Sequence, residues 1–225
     1  MSNILVIAPH ADDEILGCGA TMAKHIHNGD DVFVAIMTNA NMGAPELFTK
    51  EHIEAIRDEA NKAHEVIGVK RTFFFDLPAP RLETYPSYLI ANLINQLIFE
   101  YDISTLYLPF RGDSHTDHRV VFNAALVAAR PINLCPVMEI YAYETLSETE
   151  WGAPFGDDQF IPTFFVDVSN YMSIKLDSMN CFFSQLKNPP HPRSLEIISK
   201  LGSVRGSSIG VDFAESFVQI RRIDK

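Results

Sequence analysis

Cysteine, basic charge and long apolar runs are all scarce in this chain of 225 residues. The three cysteines, Cys18, Cys135 and Cys181, are odd in number and widely spaced, which excludes a disulfide framework and a CxxC metal pair. Lysine and arginine total 18 against 29 acidic residues, for a net charge of −11. This acidic balance argues against nucleic acid as a partner, because basic patches supply that affinity.

Long hydrophobic segments are also missing. No stretch approaches the ~20 apolar residues of a membrane span, so no integral membrane segment is expected. The N-terminal apolar run is too short for a signal peptide and no basic residues precede it. The chain nevertheless has ample core material, with 47% hydrophobic and 21% charged residues. We therefore expect a cytoplasmic protein that folds as a single domain over residues 1–225.

Apolar runs rich in branched residues alternate with helix-compatible segments through the first part of the chain. The predicted strands cover residues 4–8, 31–38, 71–77 and 104–110, and the helices cover 14–28, 51–67, 87–101 and 119–129. This order predicts an α/β fold with a Rossmann-like, mostly parallel sheet flanked by helices. A C-terminal extension follows, with strands predicted at 138–145, 160–168 and 213–222 and helices at 169–186 and 194–203.

Two polar clusters directly follow predicted strands. The segment His10–Glu14 comes after the first strand, and His115–His118 comes after the fourth. Ligands of open parallel sheets bind beyond the carboxyl ends of the strands. The first and fourth strands are neighbours in a common doubly wound order, so the two clusters can meet at one point.

The spacing within each cluster suits a metal site. His10 and Asp13 are three residues apart at a strand-to-helix turn, and His115 and His118 repeat that interval. Two imidazoles and one carboxylate, with room for water, form the three-ligand pattern of catalytic zinc. The same set describes a non-haem iron oxygenase, although those triads usually lie on β-barrels. The structural alternative is a solvated histidine beside acids that stabilise a helix start.

Both clusters resemble the motifs of the LmbE-like (PIG-L) family of metal-dependent N-deacetylases. The family's first motif, a histidine, a spacer, two acids and a glutamate, stands here as HADDE, with alanine where proline is more common. Its second motif, His-x-Asp-His, stands here as HTDH. The resemblance extends over most of the chain, as far as RGSSIGVDFAESF near the C-terminus.

The resemblance implies a zinc-dependent hydrolase that removes the N-acetyl group from a GlcNAc-type amino sugar and releases acetate. By that resemblance His10, Asp13 and His118 would hold Zn²⁺. Zinc lowers the pKa of water enough to supply a nucleophile for amide hydrolysis at neutral pH. The substrate would be a small-molecule or glycan amino sugar. The resemblance also allows a homo-oligomer, because some relatives form one.

The other motif residues would transfer protons and stabilise charge. The resemblance makes Asp12 the general base, and Asp12 is free for that task because adjacent side chains point apart. His115, oriented by Asp117, would be the electrophilic or acid partner of the oxyanion. A noncatalytic sugar-binding protein of the same fold is a further alternative, but the presence of Asp12 argues against it.

Three positions outside the motifs complete the expected site. Arg57 matches an arginine that binds sugar hydroxyls in related deacetylases, with a solvated helix face as the alternative. Asp76 follows the third strand, where sugar recognition and loop capping are equally reasonable. Several relatives carry a tyrosine for oxyanion stabilisation where Phe213 stands, so Phe213 either leaves that donor missing or packs in the core. Tyr141 and Tyr143 are the next candidate donors.

Overall fold

The structure is a computed structural model that describes residues 1–224. In chain order, its strands are β1 (Asn3–Ala8), β2 (Asp31–Asn39), β3 (Arg71–Pro78), β4 (Thr105–Pro109), β5 (Glu139–Tyr143), β6 (Phe164–Asp167) and β7 (Ala214–Arg222). Its helices are α1 (Asp13–His27), α2 (Ala40–Gly43), α3 (Lys50–Ile67), α4 (Ser87–Glu100), α5 (Thr116–Ala128), α6 (Met172–Met179) and α7 (Leu195–Ser207). The strands form one sheet in the order β3-β2-β1-β4-β5-β7-β6, which confirms the predicted α/β class.

The register of β1 explains where ligands can bind. β1 pairs in parallel with β2 on one side and with β4 on the other, and Ile4 is opposite both Val32 and Thr105. The carboxyl ends of β1 and β4 therefore lie side by side, as the sequence predicts. The C-terminal part adds two strands at one edge of the same sheet, where β7 is antiparallel to β5 and β6 is antiparallel to β7.

Both faces of the sheet are covered, and this explains why β1 is apolar at consecutive positions. Leu5 and Ile7 pack in the apolar cluster shared with α4 and α5, while Ile4 and Val6 pack in the cluster shared with α1 and α3. Full burial of one such side chain contributes about 1.5–3 kcal/mol. Among the helices of residues 1–224, none combines the length and hydrophobicity that a membrane crossing requires.

Several element boundaries differ from the sequence-based expectation. α3 ends as predicted, because Gly68 adopts the left-handed conformation with φ 91°. α5 begins three residues earlier than expected, since the His115 ring accepts a hydrogen bond from the backbone N–H of Asp117 and caps the helix. α6 is confined to Met172–Met179, far shorter than the predicted 169–186, because turns follow it from Asn180 onward.

Helix α1 is kinked at Cys18, whose backbone is not helical (φ −146°, ψ 24°). A buried ion pair occupies the break. Lys175 Nζ donates to the carbonyl of Leu16 (2.7 Å) and to Glu215 (2.6 Å), while Glu215 accepts from the backbone N–H of Ala20. The helical bond from Ala20 to Leu16 is thus replaced by a bridge through two side chains, a recognised cause of helix kinks.

Breaking this pair is expected to destabilise the fold strongly. Lys175→Met leaves the Glu215 carboxylate buried without its cation, which typically costs about 3–5 kcal/mol. Chemical denaturation would measure this loss. Lys200→Met is the matched control, because Lys200 and Glu196 form an exposed i,i+4 pair on α7 that is worth about 0.3–0.5 kcal/mol. Equal losses in the two variants would contradict a structural role for the bridge.

Candidate metal and catalytic site

The two motifs meet beyond the ends of β1 and β4. One potential ligand atom from each of His10, Asp13 and His118 lies within 4.8 Å of the other two. The His10 ring centroid is 5.4 Å from that of His118 and 4.5 Å from that of His115. The structure therefore brings together the three residues that the sequence predicts as metal ligands.

Asp13 lies between the two histidines. Its Oδ2 atom is 3.3 Å from His10 Nδ1 and 3.2 Å from His118 Nε2, and both Asp13 and His118 are fully buried. Among residues 1–224, neither Asp13 Oδ1 nor His118 Nε2 has a hydrogen-bond partner, because the 3.2 Å approach of His118 Nε2 to Asp13 Oδ2 lacks hydrogen-bond geometry. Buried polar atoms are normally paired, so two unpaired ones in one cluster point to a missing shared partner. An ion bound by two nitrogens and one carboxylate fits, and this donor set suits zinc.

Asp113 contacts the ring nitrogen of His118 that does not approach Asp13, and the sequence analysis missed this contact. His118 Nδ1 donates to Asp113 Oδ2 (2.7 Å), and Thr149 Oγ1 donates to Asp113 Oδ1 (2.6 Å). Ligating histidines usually donate their second ring N–H to a carboxylate, which leaves the other nitrogen for the metal. The available signal was an acid five residues before His118 in the RGDSHTDH loop.

The three candidate ligands shift one another's pKa values. Burial lowers the pKa of His118, but Asp13 and Asp113 outweigh it and raise the pKa to about 10. Burial also lowers the pKa of His10, while hydrogen bonds to Asp117 and Asp13 raise it to about 9. Burial raises the pKa of Asp13, yet the two histidines hold it well below its ordinary value. A cation bound here would displace one proton from each of the two imidazoles. We therefore expect metal affinity to decrease as the pH falls.

Asp12 stands at the start of α1 in a strained conformation. Its φ of 108° is in the region that favours glycine, at a typical cost of about 1–3 kcal/mol. The Asp12 backbone N–H donates to Glu14, whose carboxylate is held by His64 at 2.9 Å. Burial raises the pKa of Asp12 to about 7, against the opposing charge of Arg193. A carboxylate with that pKa is suited to general-base catalysis near neutral pH.

Arg193 is the second site residue that the sequence analysis missed. Its Nη1 atom donates to Asp12 Oδ2 (3.2 Å), and its Nε atom donates to Ser147 Oγ (2.7 Å). Its Nη2 atom is 3.7 Å from Glu148 Oε1. Residues 187–193 lie between the helices predicted at 169–186 and 194–203, and no sequence pattern there indicates contact with Asp12.

The contacts of His115 and Asp117 differ from the predicted pairing. Asp117 Oδ2 is 3.2 Å from His10 Nε2 but 3.9 Å from His115 Nδ1, which is beyond hydrogen-bond reach. The His115 Nδ1 atom instead accepts from the Asp117 backbone N–H. Burial and the charge of His10 lower the pKa of His115. A neutral ring whose Nδ1 accepts carries its proton on Nε2, so His115 can donate a hydrogen bond without being a cation.

Four of the site residues line a cavity of about 450 Å³, namely His10, Asp12, His115 and Arg193, and Arg57 lines it as well. Arg57 Nη2 donates to Asp76 Oδ1 (2.6 Å), and Asn39 donates to the same oxygen (2.8 Å). Asp76 is 58% exposed and is not part of the cavity lining. The structure therefore places Arg57 at the cavity, and Asp76 is connected to the cavity lining through Arg57 and Asn39.

Phe213 does not reach this cavity. Phe213 is half-buried, and its ring packs beside Gly202 of α7. The ring lies 3.4 Å from the position that a Cβ atom would occupy if residue 202 had a side chain. Tyr141 and Tyr143 are buried, and the Tyr143 hydroxyl donates to the carbonyl of Ile7 (2.9 Å). The packing interpretation of Phe213 is the one that agrees with the structure.

Phe213→Tyr is accordingly expected to leave kcat unchanged. A new hydroxyl beside α7 has no path to the reacting atoms, and partial exposure lets it meet water, so the melting temperature should change little. Turnover and thermal unfolding of this one variant check both expectations. A clear rise in kcat would mean that residue 213 reaches the oxyanion after all.

The fold and the site define an α/β protein with a two-histidine, one-carboxylate site at the carboxyl edge of its parallel strands. The model of the family described as PIG-L, GlcNAc-PI de-N-acetylase, matches residues 5–129, which include both motifs, and the chain belongs to this family. The family assignment disfavours the non-haem iron oxygenase.

Similar proteins agree with this assignment. The chain is 28% identical over 181 residues to the uncharacterized deacetylase YaiS of Escherichia coli (strain K12), covering 78% of this chain and 88% of YaiS. It is 24% identical over 194 residues to the diacetylchitobiose deacetylase of Thermococcus kodakarensis, covering 82% and 70% of the two chains. The crystal structure of the conserved protein TT1542 from Thermus thermophilus shares the fold, with a TM-score of 0.77, 23% identity and coverage of 100% and 97%. Relatives named as deacetylases indicate a hydrolase that acts on amides.

Proposed function

We propose that this protein is a zinc-dependent N-deacetylase that hydrolyses the N-acetyl group of a GlcNAc-type amino sugar. Water and the amide are converted to acetate and the free amine. The observation that carries the proposal is the cluster of His10, Asp13 and His118 beside the cavity, in which the buried atoms Asp13 Oδ1 and His118 Nε2 have no hydrogen-bond partner among residues 1–224. The two named deacetylases among the relatives support amide hydrolysis.

The metal would be held by His10, Asp13 and His118. When bound there, zinc supplies Lewis-acid activation of water and stabilisation of negative charge. Asp12 would accept the proton of the attacking water and deliver it to the leaving amine. Its pKa of about 7 suits both tasks, since the group must be a base first and an acid second.

Two further side chains would position the reacting groups. Arg193 holds the Asp12 carboxylate through Nη1, which fixes the direction of the lone pairs that accept the proton. His115 lines the same cavity end, and its Nε2–H would donate to the developing oxyanion. His115, rather than a tyrosine at position 213, would thus be the protein's own oxyanion donor.

Acetate release from a panel of N-acetylated sugars tests the proposed function. The purified protein, loaded with zinc, should release acetate from at least one GlcNAc derivative and produce one free amine for each acetate. Removal of the metal with a chelator should abolish the reaction, and zinc should restore it. Absence of acetate from every N-acetyl sugar, in protein shown to bind zinc, would contradict the proposal.

Arg57→Ala is expected to raise KM more than it lowers kcat. A contact to sugar hydroxyls is present in both the ground state and the transition state, so its loss weakens binding uniformly. Steady-state kinetics on the best sugar of the panel would measure the effect. Arg71→Ala is a matched control, because Arg71 contacts Tyr101 on the surface instead of the cavity. Unchanged KM in Arg57→Ala would leave Arg57 with only its contacts inside the protein, to Asp76, the Phe75 carbonyl and the Phe74 ring.

A further inference from the structure

A buried chain of hydrogen bonds runs from β3 through α3 to the backbone of Asp12. Thr72 Oγ1, near the start of β3, is 2.7 Å from His64 Nδ1, and His64 Nε2 is 2.9 Å from Glu14 Oε1. The other carboxylate oxygen of Glu14 accepts the Asp12 backbone N–H at 3.2 Å. Glu14 is 0% exposed and His64 is 3% exposed. This chain holds the backbone of Asp12, whereas Arg193 contacts its carboxylate.

The donors and acceptors along this chain are complementary. A Thr72 hydroxyl that donates to His64 Nδ1 leaves the ring proton on Nε2, where it faces the Glu14 carboxylate. Among the described residues, His64 is the one basic side chain paired with Glu14. A buried carboxylate is unfavourable without a donor, so the position of the His64 ring fixes where the Glu14 carboxylate lies.

The backbone of Asp12 requires such support. An aspartate that begins a helix usually caps it with its side chain, but the Asp12 side chain makes no capping hydrogen bond. Its backbone adopts φ 108° and ψ −25°, and the residue lines the catalytic cavity. A backbone in this region persists only where neighbouring groups hold it in place. Glu14 holds the Asp12 N–H, while the Asp12 carbonyl accepts from the backbone N–H groups of Ile15 and Leu16.

We propose that His64 is a positioning residue for the hydrolysis: through Glu14 it fixes the strained backbone of Asp12 and thereby the direction of the carboxylate that accepts the proton of water. The inference rests on the proposed function for the reaction itself. It goes beyond that function because it gives a part in proton transfer to a buried histidine of α3, outside both motifs. The base acts in the transition state, so its misplacement should lower kcat and leave KM unchanged.

The first experiment compares two amide side chains at position 64 in the zinc-loaded protein. Glutamine places its amide nitrogen near the position of Nε2 and can still donate to Glu14, whereas the shorter asparagine reaches only the position of Nδ1. His64→Gln should keep most of the wild-type kcat. His64→Asn should lower kcat about 10–100-fold with KM and zinc content unchanged, since a misplacement of 1 Å can cost about 10²-fold.

His25→Asn is the matched control for this comparison. His25 has the same kinds of partner, with Asp30 at 2.9 Å from Nδ1 and the Tyr107 hydroxyl at 3.0 Å from Nε2, but it lies near the other end of α1 from Asp12. Its substitution should leave kcat unchanged. Melting temperatures show whether each variant is folded. A folded His64→Asn protein with the wild-type kcat would overturn the inference.

A double-mutant cycle shows whether His64 acts through the base. If His64 acts by placing the Asp12 carboxylate, His64→Asn should have little further effect on kcat once Asp12→Asn has removed that carboxylate. A general weakening of the fold would lower kcat equally in both backgrounds. Equal losses in the wild-type and Asp12→Asn backgrounds would therefore overturn the inference.

Amide exchange separates failure of this inference from failure of the proposed function. Hydrogen exchange of the Asp12 backbone N–H, followed by NMR in the zinc-loaded protein, reports on its bond to Glu14 without any reaction. Exchange should be about tenfold faster or more in His64→Asn, the usual weight of a hydrogen bond to a charged group, and unchanged in His64→Gln. Faster exchange without acetate release from any sugar would reject the deacetylase alone. Unchanged exchange in His64→Asn, with acetate still released by the wild type, would reject the positioning role alone.

Thr72→Val provides the same comparison if His64→Asn does not fold. Valine keeps the shape of the half-buried threonine and removes only the hydroxyl that orients the His64 ring. The Asp12 amide should then exchange faster than in the wild type, and kcat should fall with KM unchanged. Wild-type exchange and kcat in Thr72→Val would overturn the inference in that case.

Discussion

His118→Ala is expected to lose most of the bound metal and nearly all amide hydrolysis. The wild-type protein should carry about one zinc ion per chain, since three protein ligands form one catalytic site. The variant removes an imidazole whose Nε2 atom is buried and unpaired. It also leaves the Asp113 carboxylate, which lies 2.7 Å from His118 Nδ1, buried without its partner. Metal analysis of the purified variant and the acetate assay measure the two losses separately.

Two further variants accompany this prediction, one with an expected intermediate loss of metal affinity and one control with no expected loss. Asp113→Asn keeps all three ligands but weakens the orientation of His118, and outer contacts of this kind typically cost about 10–100-fold in metal affinity. His27→Ala should keep the full metal content, because His27 lies at the end of α1 beside Tyr171. Metal content that is unchanged in both His118→Ala and His10→Ala would refute the site.

The sheet and the position of the site were predictable from the sequence because both depend on local patterns. A run such as residues 4–8 is apolar at every position only when both faces of the strand are covered. Strands that alternate with amphipathic helices must run parallel, and parallel strands direct their carboxyl ends to one edge. The polar residues directly after β1 and β4 therefore had to be neighbours once those two strands paired.

The contacts that tune the site were not predictable, since they come from distant segments without periodicity. Arg193 reaches Asp12 from a turn 181 positions further along the chain. The kink in α1 depends on Lys175 and Glu215, and the sequence of α1 alone predicts one uninterrupted helix. Asp117 pairs with His10 rather than with His115 because of a difference of less than 1 Å between the two side-chain distances. Residue spacing in the sequence cannot predict a difference of that size.

Asp12→Asn is expected to keep the metal and lose activity by about 10²–10⁴-fold, the usual contribution of a general base. Asparagine preserves the shape of the side chain and tolerates the positive φ of this position better than most residues. Its amide cannot accept the proton of water as the carboxylate does. The comparison requires zinc content, melting temperature and kcat on the same preparation, so that loss of turnover is separated from loss of metal or fold.

The neighbouring acid is the internal control. Asp13→Asn removes the negative charge that lies between His10 and His118, so its main effect should be a loss of zinc affinity, with activity partly restored at high zinc concentration. Asp12→Asn should not respond to added zinc. We thus expect added zinc to restore activity in one variant and not in the other. Two solvated acids at a helix start would not give this difference.

The pH dependence adds a measurement that a purely structural role of Asp12 would not alter. Because the base must be ionised, kcat/KM of the wild type should fall as the pH drops through the pKa of Asp12, which burial raises to about 7. A cation held by Asp13 would stabilise the ionised form and move this fall to lower pH. In Asp12→Asn the residual activity lacks the titrating base, so that limb of the profile should flatten. Near-wild-type turnover in Asp12→Asn, or an unchanged acidic limb in protein kept saturated with zinc at every pH, would assign the proton transfer to a different group.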